Sequence, residues 1–227
     1  MTNQTEKVFR AFADEDYKSA LERTVKAGYT PFTVAQVARA FIDGDLPDDK
    51  SYATTTGIAY AGDGVHIKIA DIDFKNISNL SCGTAPLTLD QYDELPGISL
   101  NMRGVRTNEK MSKILVLNDT LWNELIGDHT LPFVDHVFDG NKYGSRGAMP
   151  VYISKNTNQL GIRPVVLSGT NDRFSANVLQ GDYPVRVAGI GEEGNYGRED
   201  AILDLALDRM GPGDFKTFKK GLEKINF

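Results

Sequence analysis

The sequence predicts an α+β protein: a mainly antiparallel β-sheet or barrel-like core over about residues 51–191, flanked by N-terminal and C-terminal helices. Three observations predict it. Apolar residues recur at helical spacing near both ends and alternate in the middle. Glycine, asparagine and proline signals cut the middle into short pieces. The order of helices, then strands, then helices lacks the regular β-α alternation of a doubly wound parallel sheet. An N-terminal helical segment (1–46), the β-rich core (51–191) and a C-terminal helical hairpin (199–226) are expected to form one compact domain.

Residues 1–46 read as helical. Asp14 is a candidate cap for a helix from about Glu15 to Lys26, ended by Gly28. In the next helix Val34, Val37, Ala38, Phe41 and Ile42 follow Thr33 as N-cap. Asp43-Gly44-Asp45 and Pro47-Asp48-Asp49 break it. The strand zone opens with a hairpin: Ile58 to Tyr60, a Gly62-Asp63-Gly64 turn, then Val65, Ile67 and Ile69 on one face and His66 and Lys68 on the other, with Ile72 beyond. Further strands are expected at Ile98–Met102, Ile114–Leu117, Val151–Ser154, Pro164–Leu167 and Pro184–Ile190. One helix, about Asp119 to Ile126, interrupts them with Leu121, Trp122 and Leu125 at helical spacing. Ile202, Leu205, Ala206 and Met210 form an apolar stripe, Gly211-Pro212-Gly213 breaks it, and Asp214 can cap a last helix. That helix sets Phe215, Phe218, Leu222 and Ile225 against Lys216, Lys219, Lys220 and Lys224.

A chain of 227 residues is long enough for a sizeable core, and 41% apolar with 25% charged residues is ordinary for a globular protein. One cysteine excludes an internal disulfide and favours a reducing compartment, so a cytoplasmic protein is expected. No run approaches the roughly 18 apolar residues of a bilayer span, and the polar start MTNQTEKVFRAFADED lacks a signal-peptide layout. The net charge of −6 has no local focus: each of the three zones carries slightly more acid than base. Nucleic acid is therefore a poorer partner than another protein or a second copy of the chain. A helix-turn-helix over residues 18–38 is opposed by the acidic stretch that follows it.

Several residue groups could carry chemistry. Asp128-His129 and Asp135-His136 are two Asp-His pairs seven residues apart, with Asp139 beyond. On one helix they would share a face, and imidazole and carboxylate suit a divalent metal. Pro132 predicts a break between them. His66, Cys82 in a loop-like stretch, and Arg103 at a strand end are the catalytic candidates. Arg103-Gly104 has the form that ADP-ribosyl-transferring enzymes use for a nicotinamide cofactor, but the Ser/Thr-rich strand and catalytic glutamate of that chemistry lack good counterparts. Gly189-Ile190-Gly191-Glu192-Glu193-Gly194 has dinucleotide-fingerprint spacing, yet two glutamates stand where a pyrophosphate should lie, so an acidic connection and no cofactor-binding residues are expected. The leading reading is a non-catalytic binding or assembly protein, such as a viral or phage-type accessory or structural subunit. The alternative is a small metal-dependent hydrolase or transferase built on the two Asp-His pairs, with a divalent metal as cofactor.

Overall fold

Ten strands form one mixed sheet in the computed structural model, which describes residues 7–71, 84–139, 148–153, 158–170, 173–179, 181, 183–192 and 196–224. The protein is α+β, as predicted. The sheet is open rather than barrel-like. Its main order is β1 (Lys7–Asp14), β10 (Val185–Glu192), β3 (Ser51–Tyr60), β8 (Gly161–Thr170), β9 (Arg173–Val178) and β7 (Val151–Tyr152). Shorter strands attach to it: β2 (Thr30–Pro31) to β10, β4 (His66–Asp71) to β3, β5 (Ala85–Pro86) to β8, and β6 (Ser99–Asn101) to β4. Most pairings are antiparallel; β10 with β3 and β7 with β9 are parallel.

Two register facts organise the molecule. The first strand lies along the last, from Lys7↔Glu192 to Asp14↔Val185. The chain then leaves the frame at Tyr60 and re-enters at Gly161, and those two residues are themselves paired. Residues 61–160 are thus an excursion that starts and ends at one point of the sheet. Among its described residues it carries α3 (Leu89–Glu94), α4 (Lys113–Leu117), α5 (Thr120–Ile126) and α6 (Thr130–Asp139), besides four short strands.

Alternation along the strands sends side chains to two faces. Tyr52, Ile58 and Tyr60 of β3 join the larger core with α2 (Val34–Asp43), α5 and α6, whereas Ala53 and Ala59 face α1 (Tyr17–Lys26). The larger core holds an aromatic group in which Phe174 meets Phe41 at 5.6 Å and Phe133 at 5.1 Å, both edge-on. Such pairs add about 0.5–1.5 kcal/mol each beyond area burial. The β3–β8 register shifts between Ala53 and Gly57. There the buried Thr54 hydroxyl donates to Val165 O at 2.8 Å, meeting a carbonyl inside the irregular stretch.

The N-terminal zone is not wholly helical. Residues 7–14 form β1 because β10 offers them a full antiparallel partner, which overrides local propensity. Asp14 is consequently not a cap. Asp16 caps α1 by accepting from Ser19 N at 2.9 Å, and Asp14 is buried against Lys219. Between α1 and α2 the chain forms β2 on β10, so the two helices are not joined by the turn of a DNA-binding pair. Ile114–Leu117, expected as a strand, lies within α4 (Lys113–Leu117). Pro132 breaks nothing: a 3-10 turn, Gly127–His129, runs directly into α6, and proline in a first helical turn forfeits no intrahelical bond.

The C-terminal hairpin, α7 (Arg198–Arg209) and α8 (Pro212–Leu222), rests on a small separate core of Ala13, Leu203, Ala206, Phe215 and Leu222. The α7 stripe is rotated from expectation, since Leu203 is buried and Leu205 is 59% exposed. Ionic contacts supply the rest of the docking. Arg23 pairs with Glu199 and Asp200, Arg186 with Asp204 and Asp208, and Lys50 with the same two aspartates. Lys219 Nζ lies 2.6 Å from Asp14 Oδ1, both side chains nearly buried.

Burial alone would lower the Lys219 pKa, but the hydrogen bond and charge of Asp14 outweigh it and hold the value above the ordinary 10.5. A lysine whose folded value is raised stabilises fully below its unfolded value and loses that contribution as pH climbs through the folded one. Lys219→Met is therefore expected to cost about 2 kcal/mol at neutral pH. The gap between variant and parent should narrow at strongly alkaline pH. Urea unfolding at the two pH values checks both parts.

Candidate functional site

The exposed side of α2 borders the two clefts from which a site can be built. A capping box fixes the start of the helix: Thr33 Oγ1 accepts from Gln36 N at 3.3 Å, and Gln36 Oε1 accepts from Thr33 N at 2.9 Å. Gly44, at φ +77°, ends it in a left-handed cap. Val34, Val37, Ala38 and Phe41 are buried, which leaves Ala35, Gln36, Arg39 and Asp43 on the outward side.

One cleft encloses about 260 Å³ between α2, the sheet and the 3-10 turn after α5. Phe9, Phe32 and Ile190 give it an apolar floor, and Gln36, Arg39, Asp43, Asp45 and His129 a polar rim. Arg39 Nε donates to Asp43 Oδ2 at 2.6 Å, an i,i+4 pair that satisfies one of the two carboxylates. The second cleft, about 180 Å³, lies at the other end of the helix against Thr56, Asp71, Glu124 and Gly127. Thr56 Oγ1 donates to Asp71 Oδ1 at 2.7 Å and accepts from Val34 N at 3.0 Å, tying β3 to the start of α2. Ala35 lines both clefts.

The Asp-His residues fall into different surroundings. His129 lines the larger cleft, and Asp128 beside it is exposed. His136 Nε2 instead lies 2.9 Å from Oδ2 of the buried Asp48. Asp135 and Asp139 both pair with Lys113, at 3.0 and 2.5 Å, fastening α6 to α4. Among the described residues no three His, Cys, Asp or Glu side chains are grouped so as to hold a metal ion.

His66 stands at a hairpin tip, half exposed, with Nδ1 2.5 Å from Asp63 Oδ2. Asp63 Oδ1 also accepts from Val65 N and His66 N, both at 2.8 Å. The backbone N–H of His66, its ring and the Val65 N–H hold the Asp63 carboxyl well below the usual carboxylate range. This arrangement stabilises a turn. Arg103 follows β6 in a 3-10 turn, with its N–H on Asn101 Oδ1 at 2.9 Å and its side chain exposed. Cys82 lies outside the described residues.

The fingerprint-spaced glycines have a packing explanation. Gly189 and Gly191 belong to β10 and share one face. A Cβ on Gly189 would sit 2.7 Å from Thr30 O, and one on Gly191 2.7 Å from the Tyr29 ring. Glycine lets the segment after α1 cross the sheet at close range. The expected acidic connection is in fact strand through Glu192; residues 193–194 lie outside the described residues.

Sequence reasoning missed Ala35, Asp45, Asp71 and Glu124 as cleft residues. Ala35 alone left a signal, a small residue on the polar side of the clearest helix in the chain.

No family model matches the chain, and no curated protein matches it by sequence. A solved structure described as "Accommodation of massive sequence variation in Nanoarchaeota by the C-type lectin fold" is similar, with a TM-score of 0.62 at 14% identity. The match covers 84% of this chain and 100% of that one, and it shows a likeness of fold. No described helix is long and apolar enough to cross a membrane.

Proposed function

We propose that the chain is a non-catalytic binding protein whose partner is another protein, met through the surface of the excursion over residues 61–160. One observation carries this reading: the Tyr60↔Gly161 pairing, at which a long segment leaves and rejoins a strand frame. A frame of this kind holds contact residues in place while leaving their identity free, which is why loops on rigid scaffolds carry recognition. The description of the neighbouring structure, a C-type lectin fold accommodating massive sequence variation, supports the same division of labour here. Leu89, Ile98, Ile114 and Leu131 on the excursion are each more than half exposed, which makes them contact candidates. In its finer form the reading makes the chain an accessory or structural subunit of a viral or phage-type assembly, and it should then co-sediment with assembled particles.

The test is affinity enrichment from the native host with the tagged chain, compared with an Ile114→Glu, Leu131→Glu double variant and with Leu205→Glu on the C-terminal hairpin. A specific partner retained by Leu205→Glu and lost by the double variant is the expected result. Equal recovery by all three overturns the reading, as does recovery of nothing by a chain that light scattering shows to be monomeric.

A further inference from the structure

We propose that the two clefts beside α2 form one groove for an extended segment of the partner protein that carries two lysine side chains. This rests on the binding reading above. The clefts share Ala35 and flank the same 3-10 turn, which gives Gly127 to one and His129 to the other. Ala35, with its single methyl group, is the one residue that lines both clefts. One end of the groove carries Asp43 and Asp45, and the other Asp71 and Glu124.

Arg39, already held by Asp43, is the one lysine or arginine among the residues lining the two clefts. Asp45, Asp71 and Glu124 make no ion pair within 4.0 Å among the described residues. Acid at both ends with partly exposed apolar surface between them complements a lysine at each end, the ammonium on the carboxylates and the aliphatic stem along Phe9, Ala35 and Ile190. The walls come from both halves of the molecule: α2 and Phe9 belong to the frame, and Asp71, Glu124 and His129 to the excursion. A segment lying there would bridge the frame and the excursion. Phosphate-bearing partners are disfavoured by the same carboxylates.

The test uses fluorescein-labelled alanine-based peptides with two lysines at graded separations, read by anisotropy against the full chain, with spermidine as competitor. Binding at one or two separations is expected, weakening with salt. Ala35→Leu, which closes the junction without changing charge, should weaken it by roughly tenfold or more, and so should Asp45→Asn with Glu124→Gln. Circular dichroism should show all variants folded, and Leu205→Glu should bind as the parent does. Binding that Ala35→Leu leaves intact overturns the groove, as does peptide binding no better than that of the glutamine analogues. Spermidine binding as tightly as the best peptide also overturns it, in favour of a free polyamine. If the host partner is lost by the Ile114/Leu131 double variant and kept by Ala35→Leu, the groove falls and the binding reading stands. If the peptides bind while no host partner is captured, the groove stands and the excursion reading falls.

Discussion

Trp122→Ala is expected to cost about 3–5 kcal/mol, the range for deleting a large aromatic side chain from a packed core. Trp122 is fully buried on α5, and its Nε1 donates to Met149 O at 2.6 Å. Truncation therefore leaves a cavity and an unsatisfied carbonyl in the same place. In a chain of this length the melting temperature should fall by roughly 10 °C. Trp122→Phe separates the two contributions: it keeps most of the volume and should cost about 1–3 kcal/mol for the orphaned carbonyl. As the chain has one tryptophan, unfolding of these variants must be followed by circular dichroism rather than fluorescence. A cost below about 1 kcal/mol for Trp122→Ala would mean that the side chain is not in the core.

Arg186→Met should cost about 3 kcal/mol, near the lower end of what removing one partner of a buried ion pair costs. The guanidinium, 6% exposed, bonds to Asp204 and Asp208 and donates to the Asp204 backbone O at 2.9 Å. The two aspartates keep some solvent and retain Lys50, which is why the loss should not reach the upper end. Burial alone would raise the Asp208 pKa, but Lys50 and Arg186 hold it lowered. An acid with a lowered folded value stabilises above its unfolded value and loses that contribution as pH falls through the folded one. The Arg186→Met deficit should therefore shrink in acid, and a methionine variant equally deficient at neutral and acid pH would refute the ionic account. Hydrogen exchange should show the loss concentrated in residues 198–222, since this network binds α7 to β10.

Elements with strong local signals were legible in the sequence. The Thr33 N-cap of α2, the Gly62–Gly64 hairpin, the Leu121/Trp122/Leu125 face and the strands within 164–167 and 185–190 all stand where the pattern put them. Elements decided by distant partners were not. β1 contains two charged residues after Lys7, and its strand character comes from β10, far along the chain. Ile114–Val116 has the composition of a strand, but Lys113 anchors it as a helix to Asp135 and Asp139. The same limit applies to the candidate site. The seven-residue spacing of His129 and His136 suggested one face, whereas the partner of His136 is Asp48 from another part of the chain. The groove joins Asp71 and Glu124 to α2 through tertiary contact alone, and no local spacing announces it.

The pairing of the first strand with the last sets a timetable for synthesis. β10 lies between β1 and β3, so the strand that joins β1 to the rest of the frame arrives after both of its neighbours. While the chain emerges from the ribosome, β1 has no partner and α1 packs against a strand not yet made. The excursion can assemble its aromatic and aliphatic contacts on α2 and β3 before then, but the register of the frame waits for residues 185–192. Such long-range closure is slow, and it leaves β1 unpaired on both sides during the interval. A nascent chain of this protein is therefore most prone to mispairing just before its last strand is made, which is where chaperone dependence should concentrate.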